Sequence, residues 1–394
     1  MKIEELELLS SKISNINLLN SIVETFDNVP YEVRTRLLEE LKNCDYNENA
    51  CMIATSSNVL NSRTIEEQIR LMEELKNCDY NENACYIATN SNVLNSRTIE
   101  EQIRLMEELK NRDKYACSIA IDDNVLNSRT IEEQIKLMEE LKNCDYNWHA
   151  YNIAKNSNVL KNRTIEEQIK LMEELKKCYY NEKACYIATD SDVLENRTIE
   201  EQIKLMEELK NCDYNWYAYK IAENRDVLEN RVIEEQIRLI ETLKSYDYNE
   251  NAYAIAIDGN VLDSRIIEEQ IKLMEELKNC DYDVNACYIA TNSNVLKNRK
   301  IEEQIKLMEK LKKCYYNWHV YKIAINSDVL KNRTIEEQLN FIKKGKVSHN
   351  DNLQKIQNIK EYKKYLKNLK EELGKDADVR LDTMVLKFNP NKKL

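Results

Sequence analysis

Glycine and proline are almost absent from this chain, which has 3 glycines and 2 prolines in 394 residues. Because both residues mark turns, their scarcity excludes β-sandwiches, barrels and glycine-rich phosphate-binding folds and favours a nearly all-helical chain. Histidine is equally rare, with 3 residues, which excludes a large metal or acid–base centre built on imidazole. No catalytic set stands out, so the sequence predicts a non-enzyme without a metal site or a cofactor.

Positive charge and long apolar runs are also lacking. The chain has 58 Lys and Arg against 70 Asp and Glu, a net charge of −12, which gives no general attraction to nucleic acid. No apolar run approaches the roughly 18 residues that a membrane helix needs. Glu4, Glu5 and Glu7 occupy the region where a signal peptide needs a basic start. We therefore expect a cytoplasmic protein with no membrane contact, although an effector exported without a cleaved signal would share these features.

A repeat of 34 residues runs through most of the chain and reads R-T-I-E-E-Q-I-K/R-L-M-E-E-L-K-N-C-D-Y-N-x-x-A-C/Y-x-I-A-x-x-x-N/D-V-L-x-S/N. Its first arginine recurs every 34 residues, with one step of 32, at Arg63, Arg97, Arg129, Arg163, Arg197, Arg231, Arg265, Arg299 and Arg333. Such self-similarity is the signature of a repeat architecture.

Two helices are predicted in each repeat. Thr64 and Glu67 form a capping box that begins helix A, predicted from about Ile65 to Lys76, with a broad apolar side. Helix B is predicted from about Glu82 to Asn90 and has a narrow strip of small apolar residues. Neither helix can bury its apolar face alone, but stacked neighbours form one continuous core. The predicted fold class is therefore all-α, a right-handed α-solenoid of two-helix repeats with helical caps at both ends.

Three regions follow from this pattern. Residues 1–28 are predicted to form an N-terminal helical cap, 29–345 an array of about nine repeats, and 346–394 a basic C-terminal helix and tail. Residues 340–394 contain 14 Lys and Arg against 7 Asp and Glu. This segment is therefore +7, and the other residues must carry −19 to give the total of −12.

The 12 cysteines occupy two recurring positions of the repeat, represented by Cys44 and Cys51. Arg112 replaces the first position in a copy that keeps Cys117, and Tyr151 replaces the second in a copy that keeps Cys144, whereas one copy has Tyr246 and Tyr253 in place of both. The members of a disulfide or metal site would be lost together. We interpret the cysteines as small apolar packing residues in a reducing compartment.

The array resembles bacterial helical-repeat proteins of the leucine-rich-variant and HEAT-like kind over residues 29–345, through its period, its helix pair and phrases such as IATNSNVLNSRTIEEQIRLMEEL. The resemblance implies an α-solenoid and commonly a partner-binding role. The tetratricopeptide repeat shares the period, but its Trp, Gly and Pro signature is missing from these units.

A second resemblance is to the 34-residue repeats of TAL effectors, which present two variable, base-reading residues after an I-A-S phrase. The positions that match include Asn90 and Ser91, Asn156 and Ser157, and Asn224 and Arg225. No Gly-Gly follows the pair, the loop to the next helix is longer, and the array is acidic. This resemblance implies nucleic-acid reading as the alternative function.

Two rows of polar residues recur within the framework. Gln68, Gln102 and Gln168 fall within the apolar arc of helix A, where an amide needs hydrogen-bond partners. We interpret them as a buried ladder between repeats, with a ligand-binding row as the alternative. Arg63, Arg97 and Arg163 are interpreted as donors to carbonyls or carboxylates of the adjoining repeat, most simply Glu66-type or Asp79-type oxygens. If these arginines instead faced water, they would form a basic stripe for phosphate or acidic peptide.

The start of helix B varies most between repeats, and three copies carry a Trp there with a Tyr three residues later. These pairs, and the histidines that follow two of the tryptophans, are Trp148 and Tyr151, Trp216 and Tyr219, Trp318 and Tyr321, with His149 and His319. Exposed aromatics on a solenoid are typical anchors for a partner, whereas a Trp at a repeat junction can also fill a packing gap. The hypothesis is a non-catalytic scaffold that binds a protein or peptide through variable helix-B positions.

Overall fold

The computed structural model describes residues 3–110, 112–316 and 318–342, and every regular element among them is a helix. These residues fall into two compact units that divide between Asn211 and Cys212. Each unit is a stack of the predicted repeats, so the fold is an all-α solenoid. The predicted basic tail, residues 346–394, lies outside the described residues.

Each repeat contains three consecutive helices, called A, B and C below. In the first unit two helices come before the repeats, Ile3–Lys12 and Ile16–Asn28. The A helices of this unit are Tyr31–Asn43, Ile65–Asn77, Ile99–Leu109, Ile131–Asn143, Ile165–Lys177 and Ile199–Asn211. Its B helices are Glu48–Thr55, Glu82–Thr89, Lys114–Ile121, Trp148–Lys155 and Glu182–Thr189. Its C helices are Ser57–Ser62, Ser91–Ser96, Asp123–Ser128, Ser157–Asn162 and Ser191–Asn196.

The second unit repeats this pattern. Its A helices are Ile233–Ser245, Ile267–Asn279, Ile301–Lys313 and the described part of a further helix at 335–342. Its B helices are Trp216–Ala222, Glu250–Ile257, Val284–Thr291 and Trp318–Ala324. Its C helices are Arg225–Asn230, Gly259–Ser264, Ser293–Asn298 and Ser327–Asn332. The A and B helices confirm the predicted pair, and the six-residue C helix is an addition that the sequence pattern did not indicate.

The A helices that follow a threonine begin at the predicted capping box, and most A helices end in an unusual turn. The Oγ1 of Thr164 accepts from the N–H of Glu167 at 3.3 Å, while the N–H of Thr164 donates to Glu167 Oε2 at 2.9 Å. At the other end of an A helix, Asp79 and Tyr80 both have positive φ, 51° and 56°. Two successive non-glycine residues in this region are costly, and a hydrogen bond of 2.9 Å from the N–H of Tyr80 to Leu75 O offsets part of that cost.

The core lies between neighbouring repeats. Within each unit, A helices stack on A helices, B on B and C on C, and each B helix also packs against the A helix that follows it. Leu71, Met72, Leu75 and Ile87 have no exposed surface. Most B helices have alanines at two positions, such as Ala84 and Ala88, that are fully buried and allow close helix approach, whereas Val320 takes the first of these positions in Trp318–Ala324. The stacking direction leaves one face of each helix type open to solvent.

Candidate interaction surface on the B helices

The outer face of the A helices is covered by ion pairs that join neighbouring repeats. Arg70 Nη1 lies 3.0 Å from Glu100 Oε1, and Arg104 Nη1 lies 2.7 Å from Glu132 Oε1. Glu66 likewise pairs with Arg36 of the preceding repeat. All these side chains are largely exposed, so this face is a solvated charged surface with little specific chemistry.

The recurring arginine crosses from one repeat to the next. Arg163 donates from Nη2 to Arg197 O at 2.7 Å and from Nη1 to Leu194 O at 3.2 Å. Its Nε donates to Gln202 Oε1 at 3.3 Å. Arg63 and Arg97 bond in the same way to the repeats that follow them. Only 9% of the surface of Arg163 is exposed, so this guanidinium is not available to phosphate or to an acidic peptide.

The recurring glutamine completes this connection. Gln168 Nε2 donates to Ile153 O at 3.0 Å and to Ala154 O at 2.9 Å, both at the end of the preceding B helix. Gln68 and Gln102 bond in the same way to the B helices before them. The glutamines are buried, and each therefore joins two repeats. The carboxylates expected as arginine partners are replaced by backbone carbonyls and the Gln amide, because the arginine points along the stack toward the next repeat.

The residues that follow the I-A-x phrase lie at the start of the C helices. Asn90 Oδ1 accepts from the N–H groups of Asn92 and Val93 at 3.0 and 3.2 Å. Asn156 caps its C helix in the same way, and Asn224 Oδ1 accepts from the N–H of Val227. This position holds only Ser, Asn or Asp in all copies, the residues that cap helices best. Capping therefore accounts for its limited variation.

The second member of each pair is exposed. Ser91 and Ser157 lie in the first turn of their C helices, and both are exposed. Arg225 is exposed too, and its Nε lies 2.7 Å from Glu229 Oε1.

The three tryptophans form repeated clusters at the start of their B helices. Each Trp is about half exposed, with values of 50% for Trp148, 53% for Trp216 and 54% for Trp318. Each Tyr three residues later is buried beneath it, with ring centroids 5.4 Å apart for Trp148 and Tyr151. The structure thus gives the two residues different positions, because Tyr packs into the stack and Trp covers it from outside.

A lysine lies over each Trp–Tyr pair, a contact that the repeat pattern does not indicate. Lys220 Nζ lies 4.6 Å from the Trp216 ring centroid, and Lys322 Nζ lies 4.5 Å from that of Trp318. In the third cluster Lys155 comes from the end of the helix, not from its middle, and its Nζ lies 4.5 Å from the Tyr151 centroid. Two different sequence positions therefore supply the same cation–π contact.

The cluster at Trp148 is the largest in the first unit. Tyr115 of the preceding B helix stacks at 5.9 Å from Trp148 and 5.0 Å from Tyr151, centroid to centroid. His149 is half-buried, and its backbone N–H donates to Oδ1 of the capping residue Asn147 at 2.8 Å. The side chain of His319, at the same repeat position, lies outside the described residues.

A groove of about 370 Å³ opens beside Trp148. Three consecutive repeats line it, with Asp122 on one side, Trp148 and Lys155 in the middle, and Glu182 and Tyr186 on the other side. The Tyr186 hydroxyl donates to Glu182 Oε1. The groove therefore combines two half-exposed aromatic rings with carboxylates on both walls.

The cysteines take no part in this surface. All 12 are free and buried, and burial raises the pKa of the Cys85 thiol to about 11 and that of Cys185 to about 12. Thiols with raised pKa values are poor nucleophiles. The described residues contain no group of three His, Cys, Asp or Glu side chains that could hold a metal ion. Among them, no helix has both the length and the apolar character to cross a membrane.

These features define a helical-repeat protein with an aromatic B-helix surface. No protein-family model and no curated protein matches this sequence.

Proposed function

We propose that this chain is a non-catalytic scaffold that binds a protein or peptide through the exposed positions of its B helices. The observation that carries the proposal is the concentration of large apolar side chains there. Eight of them on the described B helices have between 46% and 54% of their surface exposed: Met52, Tyr86, Trp148, Tyr186, Trp216, Val284, Tyr288 and Trp318. Exposed aromatic rows of this kind are typical of protein interaction sites.

The contrast between framework and surface supports this assignment. The Arg, Gln and Ala positions that join repeats are nearly identical in all copies, whereas the first residue of helix B is Glu, Lys, Trp or Val. Stacking alone does not require a Trp at the start of helix B, since the B helices that begin with Glu82 and Glu182 stack in the same way. The varied positions can therefore give different repeats different contacts with one partner.

We also propose that the repeats are of the leucine-rich-variant or HEAT-like kind and that the chain works in the cytoplasm. The supporting observations are the period and sequence phrase of the array and its 12 free, buried thiols, which are typical of a reducing compartment. The TAL-effector-like alternative is weakened by the capping role of Asn90, Asn156 and Asn224.

The test is selection from a random peptide library and, in parallel, from a pool of random single- and double-stranded nucleic acid. The variant is Trp148→Ala/Trp216→Ala/Trp318→Ala in the full chain. We expect the native chain to enrich peptides, and the variant to bind them at least about tenfold more weakly, as for hot-spot aromatics.

The matched control is Tyr179→Asp/Tyr315→Asp. These tyrosines are 80% and 87% exposed but lie in the turn after helix A, where sister repeats have Asp. The control should bind peptides as the native chain does. Enrichment of nucleic acid with steep salt dependence would overturn the proposal, and so would a sharp fall in the melting temperature of the Trp variant, which would assign the tryptophans to packing.

A further inference from the structure

The charge and the aromatic residues of the groove beside Trp148 favour one class of partner. This inference rests on the proposed peptide-binding function. Its charged lining residues are Asp122, Glu182 and Lys155, a net charge of −1 when His149 is neutral. The wider array, residues 1–339, carries −19. A cationic guest is therefore favoured both locally and at longer range.

Trp148 in the groove and the rings of Tyr151 and Tyr115 beside it already contact cations of this chain. Lys155 Nζ lies 5.8 Å from the Trp148 centroid and 4.5 Å from that of Tyr151. Lys114 Nζ lies 5.1 Å from the centroid of the neighbouring Tyr115. These contacts show that the electron-rich ring faces are oriented toward positive charge, while half of the Trp148 surface remains open.

The carboxylates stand on opposite walls of the groove. Asp122 belongs to the repeat before Trp148, where its Oδ1 also caps the helix Asp123–Ser128 through the N–H groups of Asn124 and Val125. Glu182 belongs to the repeat after it and is exposed. A planar guanidinium can stack on an indole and donate in its own plane to a carboxylate at the same time, which an ammonium group cannot do.

We infer that the groove between Asp122, Trp148 and Glu182 binds an arginine side chain of a basic peptide. The guanidinium stacks on the exposed Trp148 face and donates to a carboxylate wall. Lys155 competes for the same aromatic surface and thereby limits the affinity for weaker cations. The volume of about 370 Å³ is in the range of pockets that accept one side chain or small ligand.

The experiment measures binding of a fluorescent peptide of alternating arginine and alanine to the full chain by anisotropy. Comparison peptides carry lysine, citrulline or glutamate in place of arginine. The test variant is Asp122→Asn/Glu182→Gln. Asn at the first position preserves the cap, since Asn90 and Asn156 serve there in sister repeats. The control is Glu250→Gln/Asp258→Asn, which makes the same charge change at the same repeat positions of the second unit.

We expect the arginine peptide to bind better than its three counterparts and to lose about tenfold in affinity with the test variant, because a charge-assisted contact is removed. The control variant should change the affinity for the arginine peptide by less than about twofold. Trp148→Ala should also weaken binding, and Lys155→Gln should strengthen it.

Equal losses in the test and control variants would overturn the inference, since they would indicate attraction to the acidic array in general. Tighter binding of the glutamate peptide, or a loss of affinity with Lys155→Gln, would also overturn it and identify Lys155 as the recognition group. In those cases, the proposed scaffold function would still stand if the peptides selected from the random library need the three tryptophans for binding.

Discussion

At the scale of single residues, the repeats differ in how well they begin their A helices. Thr164 caps its helix with its hydroxyl, but Val232, Ile266 and Lys300 stand at the same position in three consecutive repeats of the second unit. None of these three side chains makes a capping hydrogen bond. Val232 and Ile266 are 60% and 63% exposed, so they gain little burial in return.

We predict that Val232→Thr stabilises the helix Ile233–Ser245 by about 1 kcal/mol, the usual contribution of a side-chain cap. Native-state hydrogen exchange of this helix measures the effect locally, which matters because repeat arrays can unfold in parts. The reciprocal change, Thr164→Val, should destabilise Ile165–Lys177 by a similar amount. A result in which neither change alters exchange would contradict the role assigned to the cap.

At the scale of elements, the C helix depends on the capping residue that precedes it. It has only six residues, too few for a stable helix without tertiary support and capping. In the repeat that contains Trp148, Asn156 Oδ1 accepts from the N–H groups of Asn158 and Val159 at 2.9 and 3.1 Å.

We predict that Asn156→Ala destabilises the helix Ser157–Asn162 by about 1 kcal/mol, whereas Asn156→Asp leaves it unchanged, because Asp122 and Asp190 cap the same helix in sister repeats. Hydrogen exchange of the C helix checks both variants. If Asn156→Ala instead leaves hydrogen exchange unchanged and alters nucleic-acid binding, the result would favour a base-reading role for Asn156.

The A and B helices could be predicted because their signals are local. The capping box of Thr64 and the apolar period indicated a helix from Ile65 to Lys76, and the structure extends it by one residue to Asn77. The C helix escaped prediction because six residues hold too short an apolar pattern to show a helical period. The positive φ of Tyr80 in the turn between helices A and B was not predicted, because tyrosine disfavours this region and the hydrogen bond to Leu75 O forms only in the folded repeat.

The candidate surface was partly predictable for the same reason. A spacing of three residues placed Trp148 and Tyr151 on one helix face, and their rings are in contact. The lysine above each Trp–Tyr pair was not predicted because Lys155 and Lys220 occupy different repeat positions. They make the same kind of ring contact only in the folded chain. The arginine partners were partly misassigned because the acceptor, Gln202, lies 39 residues from Arg163, beyond what a single-repeat pattern shows.

At the scale of the whole molecule, buried thiols such as Cys51, Cys117 and Cys144 link stability to pH. Burial raises the pKa of Cys51 and Cys144 to about 12 and that of Cys117 to about 11, above the ordinary value of 9.0. In the unfolded chain these thiols ionise near their ordinary value, so between these pH limits the native state binds more protons. The stabilisation is thus complete below about pH 9 and is lost as pH rises toward 11 to 12.

We predict that the melting temperature is nearly constant from pH 7 to 8.5 and falls steeply above about pH 9. Circular dichroism melts measure it. Because burial also raises the pKa of Tyr180 to about 12, a cysteine variant is needed to separate the two contributions. Cys185→Ala should reduce the slope between pH 9 and 11 by the share of one thiol, and an unchanged slope would contradict a contribution from Cys185.

The arginine that joins neighbouring repeats within each unit also has a mechanical meaning. Its shortest bond varies little between described copies, for example 2.7 Å from Arg63 to Arg97 O and 2.7 Å from Arg163 to Arg197 O. Under a pulling force, we expect these two boundaries to resist separation to a similar degree. Each released repeat adds 34 residues of slack, roughly 110 to 120 Å when extended, in place of the roughly 10 Å that it occupied in the stack. A chain built in this way can absorb tension in even increments while the repeats that remain folded keep their surface.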